Sequence, residues 1–236
     1  MNNQAASTGR QPQEAEEYPC TVLSAAELFQ DLSERELAEI EHALSMRKVE
    51  KGHIIYMPED TGEVLFVLRQ GRVQLYRLSS DGRKLVLSIL GPGSIFGEMS
   101  IIGQGMHETF AEALENSVLC VMGRHDVERL ILNKPQVALR LVTIIGKRLM
   151  EAESRLRDLA FKSVSARLAS LLLKLADEDG HQIEGFTHQE LSEMVGTYRE
   201  TTTQTLNDFR NQNLISIARK RITILDPEGL RRRAED

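Results

Sequence analysis

Ala138, Val142, Ile145, Leu149, Ala152, Leu156 and Leu159 follow one another at spacings of 4, 3, 4, 3, 4 and 3 residues. Apolar residues at a mean spacing of 3.5 form one continuous stripe on an α-helix, whereas a strand, whose side chains alternate with period 2, cannot gather them on one face. The pattern therefore predicts a long helix over 135–161. Arg, Lys and Glu fill much of the remainder, at Lys147, Arg148, Glu151, Glu153, Arg155 and Arg157. Two readings fit: an amphipathic helix lying on its own domain, or a parallel homodimer seam. Three regular heptads favour the seam, with Val142, Ile145, Leu149, Ala152, Leu156 and Leu159 at the dimer interface.

The chain before this helix has a different period. Glycines at 52, 62, 71, 82 and 91 punctuate apolar runs at Ile54-Ile55-Tyr56, Val64–Leu68, Val73-Gln74-Leu75-Tyr76 and Leu85–Leu90. Short strands at regular spacing with glycine turns read as a jelly roll or barrel, and Ser79-Ser80-Asp81-Gly82 as a hairpin turn between two of them. Ser33-Glu34-Arg35-Glu36 is a capping box that opens a short helix carrying Leu37, Ile40 and Leu44 on one face. Residues 1–19 are polar, without period, and read as a flexible tail; 20–134 read as the jelly-roll unit.

After the long helix a second unit is expected over 162–236. Helical spacing runs through Val164, Leu168, Leu171, Leu172 and Leu175 and stops at Asp177-Glu178-Asp179-Gly180. Thr187-His188-Gln189-Glu190 is a capping box for a short helix that Gly196 ends. Thr197-Tyr198-Arg199-Glu200 is a second one, opening a helix from Arg199 to about Gln212. A short helix, a tight turn and a longer helix make a helix-turn-helix. Ile215-Ser216-Ile217-Ala218 and Ile222-Thr223-Ile224-Leu225 then form a hairpin whose tip, Arg219-Lys220-Arg221, is basic. The fold class is thus α+β: an N-terminal β jelly roll, a long dimerisation helix and a C-terminal winged helix-turn-helix.

With 41% hydrophobic and 27% charged residues over 236 positions, the chain has enough apolar material for a folded core, and no run long enough for a membrane span. The N-terminus has no apolar stretch after a basic start, so it is not read as a secretory signal. Cys20 and Cys120 cannot make a disulfide framework, which points to a reducing, cytoplasmic setting. The net charge of −6 looks unfavourable for nucleic acid, but it is unevenly placed: within 199–233 eight Lys and Arg face four Asp and Glu. No G-x-S-x-G, P-loop or metal-ligand spacing occurs, so the sequence supports neither an enzyme, nor a metal site, nor a cofactor.

Asp158-Leu159-Ala160-Phe161, the helix after it, Gly196-Thr197-Tyr198-Arg199-Glu200-Thr201 and Gln212-Asn213-Leu214-Ile215 resemble the hinge and DNA-binding domain of the CRP/FNR family of transcription regulators. Gly91-Pro92-Gly93 followed by Phe96-Gly97-Glu98-Met99 resembles the start of that family's effector-binding cassette. The resemblance implies three partners: double-stranded promoter DNA, a second copy of the chain, and RNA polymerase. It gives Arg199 and Glu200 base contacts, and the chemistry agrees. Arg donates bidentately to guanine O6/N7, and a carboxylate accepts from cytosine N4. A capping role for Glu200 is compatible with this. Gln204 stands where the catabolite-activator branch commonly has Arg; Gln pairs better with adenine N6/N7, so the half-site is expected to depart from TGTGA there. Thr201 and Thr203 suit phosphates, Thr202, Leu206 and Phe209 suit the core, and Lys220 with its neighbours suits backbone phosphates or a solvated turn.

In cyclic-AMP-binding members a Gly-Glu pair and an Arg-Ser/Thr pair clamp the nucleotide. Here Gly97, Glu98 and Thr109 match, but the Arg position holds Glu108. The hydroxyl pair of the long helix falls on Ala152 and Glu153. A carboxylate facing a phosphate replaces attraction with repulsion. The expectation is a constitutive regulator, or one answering another signal, with a cyclic-nucleotide-responsive regulator and a redox switch through Cys20 and Cys120 as alternatives. The stretch from Phe110 to Cys120 resembles the oxygen-sensing branch, but two cysteines cannot supply the four thiolates of an iron–sulfur cluster.

Overall fold

The fold is described from a computed structural model for residues 26–41, 44–58, 60, 64–98, 109–176 and 181–235. The expected tail (1–19), Cys20 and Glu108 lie outside these residues. A 3-10 turn (Glu27–Phe29) leads into α1 (Glu34–Glu41), opened as expected by Ser33: its main-chain N–H donates to Glu36 Oε2 at 2.9 Å and its Oγ accepts from Glu36 N. Among the described residues eight strands follow: β1 (Ser45–Val49), β2 (Ile54–Tyr56), β3 (Val64–Gln70), β4 (Val73–Leu78), β5 (Lys84–Leu90), β6 (Ile95–Glu98), β7 (Phe110–Ala113) and β8 (Ser117–Gly123). They form two antiparallel sheets, ordered β1-β8-β3-β6 and β2-β7-β4-β5.

The apolar run at the centre of β3 is uninterrupted because both faces are covered. Phe66 and Leu68 pack between the sheets with Val49, Ile55, Phe96, Ala111 and Leu119, while Leu65 and Val67 pack outward against helices. Such two-sided burial removes the polar half of the usual alternation. Within the roll Phe66 stacks on Phe96 with centroids 5.2 Å apart, and Tyr56 lies 6.2 Å from Phe66. Cys120, on β8, is buried with its Sγ 3.5 Å from Met46 Sδ.

The outward face of the first sheet is closed by α1, α2 (Arg124–Asn133) and the start of α3 (Pro135–Phe161). At 27 residues α3 is about 40 Å long. Its Val137, Leu141 and Ile144 are buried in the sensor core. The heptad stripe runs on a neighbouring face: Val142, Leu149, Leu156 and Leu159 are 47–68% exposed. One helix therefore carries two apolar faces, and the second stays largely exposed among the described residues.

The C-terminal unit contains α4 (Val164–Leu175), β9 (Gln182–Glu184), α5 (His188–Val195), α6 (Arg199–Asn211), β10 (Ile215–Ala218), β11 (Arg221–Ile224) and α7 (Pro227–Glu235). Ser163 caps α4 by accepting from Ala166 N at 3.1 Å. Leu168, Leu172, Leu191, Leu206, Phe209, Ile222 and Leu230 share its core. Strand β9, which joins the hairpin as the third strand of the β10-β11-β9 sheet, and α7 were not anticipated. Among the described residues no helix is long and apolar enough to cross a membrane.

Candidate nucleic-acid interface

The candidate surface is built from the turn outward. Thr187 and Glu190 form the expected capping box of α5: Thr187 N donates to Glu190 Oε2 at 2.7 Å, and Glu190 N to Thr187 Oγ1 at 3.2 Å. At the other end Gly196 adopts φ +74°, a left-handed conformation that costs glycine little, and both Gly196 N and Thr197 N donate to Ser192 O.

That exit shifts the start of the next helix. Thr197 is consumed by the turn, and Tyr198 stands at the N-cap in extended conformation without a side-chain cap. The expected Thr197–Glu200 capping box does not form, because Glu200 is the second residue of α6 instead of the third. Its carboxylate is left at the exposed first turn beside Arg199.

Thr202, Leu206 and Phe209 of α6 are buried, as anticipated. The opposite side presents two adjoining i, i+4 rows, Arg199–Thr203–Asn207 and Glu200–Gln204–Asp208, which line an open concavity of about 390 Å³. Asn207 and Asp208 continue the rows and were missed, although the spacing alone signals them. Thr203 is half-buried and its Oγ1 lies 2.9 Å from His188 Nδ1 of α5. Thr201 does not line the concavity; it is half-buried, and its carbonyl accepts from Thr205 Oγ1 at 2.8 Å.

The two-residue wing turn, Arg219-Lys220, is exposed, with Lys220 at φ +55°. Arg221 departs from the expected basic tip. It opens β11, and its Nε pairs with Glu184 Oε1 of β9 at 2.7 Å, so its charge is answered within the sheet.

The candidate effector-pocket residues are more dispersed. Gly97 pairs with Leu65 at φ +126°, where a Cβ would meet Val64 O at 2.1 Å, so strand pairing alone demands glycine. Glu98 pairs with Val64 through its backbone. Thr109 immediately precedes β7. Ala152 and Glu153 are exposed on α3. One residue was missed: Arg148, four residues after Ile144 on the inward face of α3, donates through Nη2 to Ile95 O, and burial lowers its guanidinium below its ordinary value. A cation at an inward-facing position was the available signal. No group of three or more His, Cys, Asp and Glu suited to a metal occurs among the described residues.

Comparison with known proteins agrees with this geometry. Residues 46–134 match the cyclic nucleotide-binding domain family, and residues 166–233 match the Crp-like helix-turn-helix domain family. A CRP-like cAMP-activated global transcriptional regulator of Mycobacterium tuberculosis is 30% identical over 220 residues, covering 90% of this chain and 98% of that protein. The cyclic AMP receptor protein of Thermus thermophilus is 31% identical over 195 residues, covering 83% of this chain and 90% of its own length. The crystal structure of a CRP/FNR-family transcriptional regulator from Thermus thermophilus superposes with a TM-score of 0.68 at 27% identity, over 81% of this chain and 99% of that one. A jelly roll, a long helix and an open-faced helix-turn-helix, shared over nearly the full length of such relatives, place this chain in the CRP/FNR family of DNA-binding transcription regulators.

Proposed function

We propose that the protein is a cytoplasmic homodimer that reads a pseudo-palindromic promoter site through α6 and does so without cyclic AMP. The observation that carries the reading is the open face of α6, where Arg199, Glu200 and Gln204 are exposed side by side at the helix's first turns, the part that enters a major groove. Arg199 reads guanine, Glu200 cytosine and Gln204 adenine. Thr201, Thr203 and Lys220 serve the phosphate backbone, which sets register without reading sequence.

The exposed heptad face of α3 supports the second copy, joined through Val142, Ile145, Leu149, Ala152, Leu156 and Leu159. In this division residues 1–19 are a tail, 20–134 the sensor, 135–161 the dimer helix and 162–236 the DNA-binding domain, with RNA polymerase the further partner.

Independence from cyclic AMP rests on side-chain chemistry. Relatives are named as cAMP-activated, but this chain has Glu108 at the position of the phosphate-binding Arg, and Ala152 and Glu153 at the hydroxyl positions. A second reading, control by another small anion, is favoured by Arg148, a half-buried cation held by a main-chain carbonyl. Buried Cys120 gives the redox alternative no accessible thiol on its side.

Selection of bound sequences from a random duplex library tests the proposal. The expected product is a symmetric site with half-sites about 10 bp apart, centre to centre. Enrichment of a lone half-site, or of no sequence, would overturn it.

A further inference from the structure

The sensor and the helix-turn-helix meet at a point that the reading face leaves uncovered. The hairpin between β4 and β5 reaches the turn between α5 and α6: the Arg83 guanidinium carbon sits 5.2 Å from the centroid of the Tyr198 ring. Beside it, Leu85 Cδ1 lies 3.3 Å from the position a Cβ would take on Gly196, and Leu159 Cδ2 of α3 lies 3.7 Å from the same point. Helix α5 packs along β5, and Tyr76 is buried on the outer side of that sheet, where Glu193 of α5 is one of the charges acting on it.

We propose that Arg83, with Leu85, is a positioning element of the sensor domain that sets the recognition helix through Tyr198 and Gly196. The argument rests on the reading that α6 contacts DNA. Tyr198 is the last residue before α6, immediately ahead of Arg199. Holding its ring fixes the direction in which the first turn of α6 leaves the helix-turn-helix.

The hairpin is suited to this work because its tip is laced. Ser79 N donates to Arg83 O at 2.9 Å, Ser79 Oγ donates to Asp81, and Arg83 Nε pairs with Asp81 Oδ2 at 2.8 Å. These bonds aim the guanidinium before it meets the ring. The contact touches the turn and leaves Arg199, Glu200 and Gln204 exposed, so it acts as a strut and not as a cover. A docked head is preorganised for its half-site; a loosened one must be ordered at the moment of binding.

The test compares the full-length protein with Arg83→Ala, Arg83→Lys, Tyr198→Ala and the Arg83→Ala/Tyr198→Ala pair. Two readouts are taken: affinity for the selected site as a function of salt, and amide hydrogen exchange without DNA. Arg83→Ala is expected to weaken specific binding about two- to fivefold per half-site, the range for a lost exposed cation–π contact, with Arg83→Lys restoring most of it. The double variant should lose less than the product of the single losses. The salt slope should stay unchanged; a slope reduced by about one per subunit would make Arg83 a phosphate contact and overturn the proposal.

In the free protein, exchange at Thr202 and Thr203 should accelerate in Arg83→Ala while the wing strands stay unchanged. Accelerated exchange in a protein that selects no DNA sequence would support the strut and refute the DNA-reading proposal. Unchanged exchange, or multiplicative losses in the double variant, would overturn the strut.

Discussion

Thr203 Oγ1 of α6 and His188 Nδ1 of α5 lie 2.9 Å apart, and this bond ties the two helices together beside the open row formed by Arg199, Thr203 and Asn207. A hydroxyl has one hydrogen and two lone pairs, so Thr203 holds the histidine and still offers an acceptor or donor outward. Thr203→Val keeps the shape and removes the bond. It is expected to lower stability by about 0.5–1.5 kcal/mol, with Thr203→Ser close to wild type in urea unfolding. Equal midpoints for the Val variant and wild type would show the bond to be without consequence.

Gln204 sets the clearest expectation about sequence preference. Arg in its place donates in bidentate fashion to guanine, while Gln suits adenine. Gln204→Arg should move the preference at one base per half-site toward guanine and leave the bases read by Arg199 and Glu200 alone. A preference unchanged at every base would remove Gln204 from the reading set.

The exposed stripe of α3 predicts the oligomeric state. Leu149→Glu and Leu156→Glu each place a carboxylate within an apolar seam and directly across from its own copy. Sedimentation equilibrium should give twice the 26.6 kDa chain mass for wild type and the single-chain mass for the double variant. A double variant that keeps the wild-type mass would move the interface elsewhere.

Much of this architecture is visible in the residues themselves because periodicity reports which residues share one face of an element. The 4-3 spacing marked α3, and the capping boxes at Ser33 and Thr187 marked two helix starts. The Thr197–Glu200 box failed for a local reason: the left-handed exit at Gly196 spends Thr197 on the turn, and no pattern of residue types reveals which of two adjacent residues becomes the cap. Arg221 looked like part of a basic tip because its partner, Glu184, is on a three-residue strand too short to show alternation. Arg148 and the Arg83–Tyr198 contact depend on packing between distant segments, which local sequence does not encode.

Glu36 gives a pH dependence in the sensor half. The Lys134 ammonium, 2.5 Å away, together with the Ser33 main-chain N–H and hydroxyl, lowers its carboxyl from 4.5 to about 2. A carboxyl lowered on folding stabilises the protein fully above its unfolded value, and that contribution is lost as pH falls from about 4.5 toward 2. Glu36→Gln should therefore flatten the acid limb of the stability profile in that window. Parallel profiles for the variant and wild type between pH 5 and 2 would assign the acid sensitivity to other groups.

In the proposed function α6 reads DNA without cyclic AMP, Glu108 standing at the sequence position of the family's phosphate-binding Arg. Affinity of the purified full-length protein for its selected site, measured at fixed salt with and without cyclic AMP, tests it most directly. The same tight, sequence-specific binding is expected in both conditions; specific binding that appears only when cyclic AMP is added would overturn the proposed function.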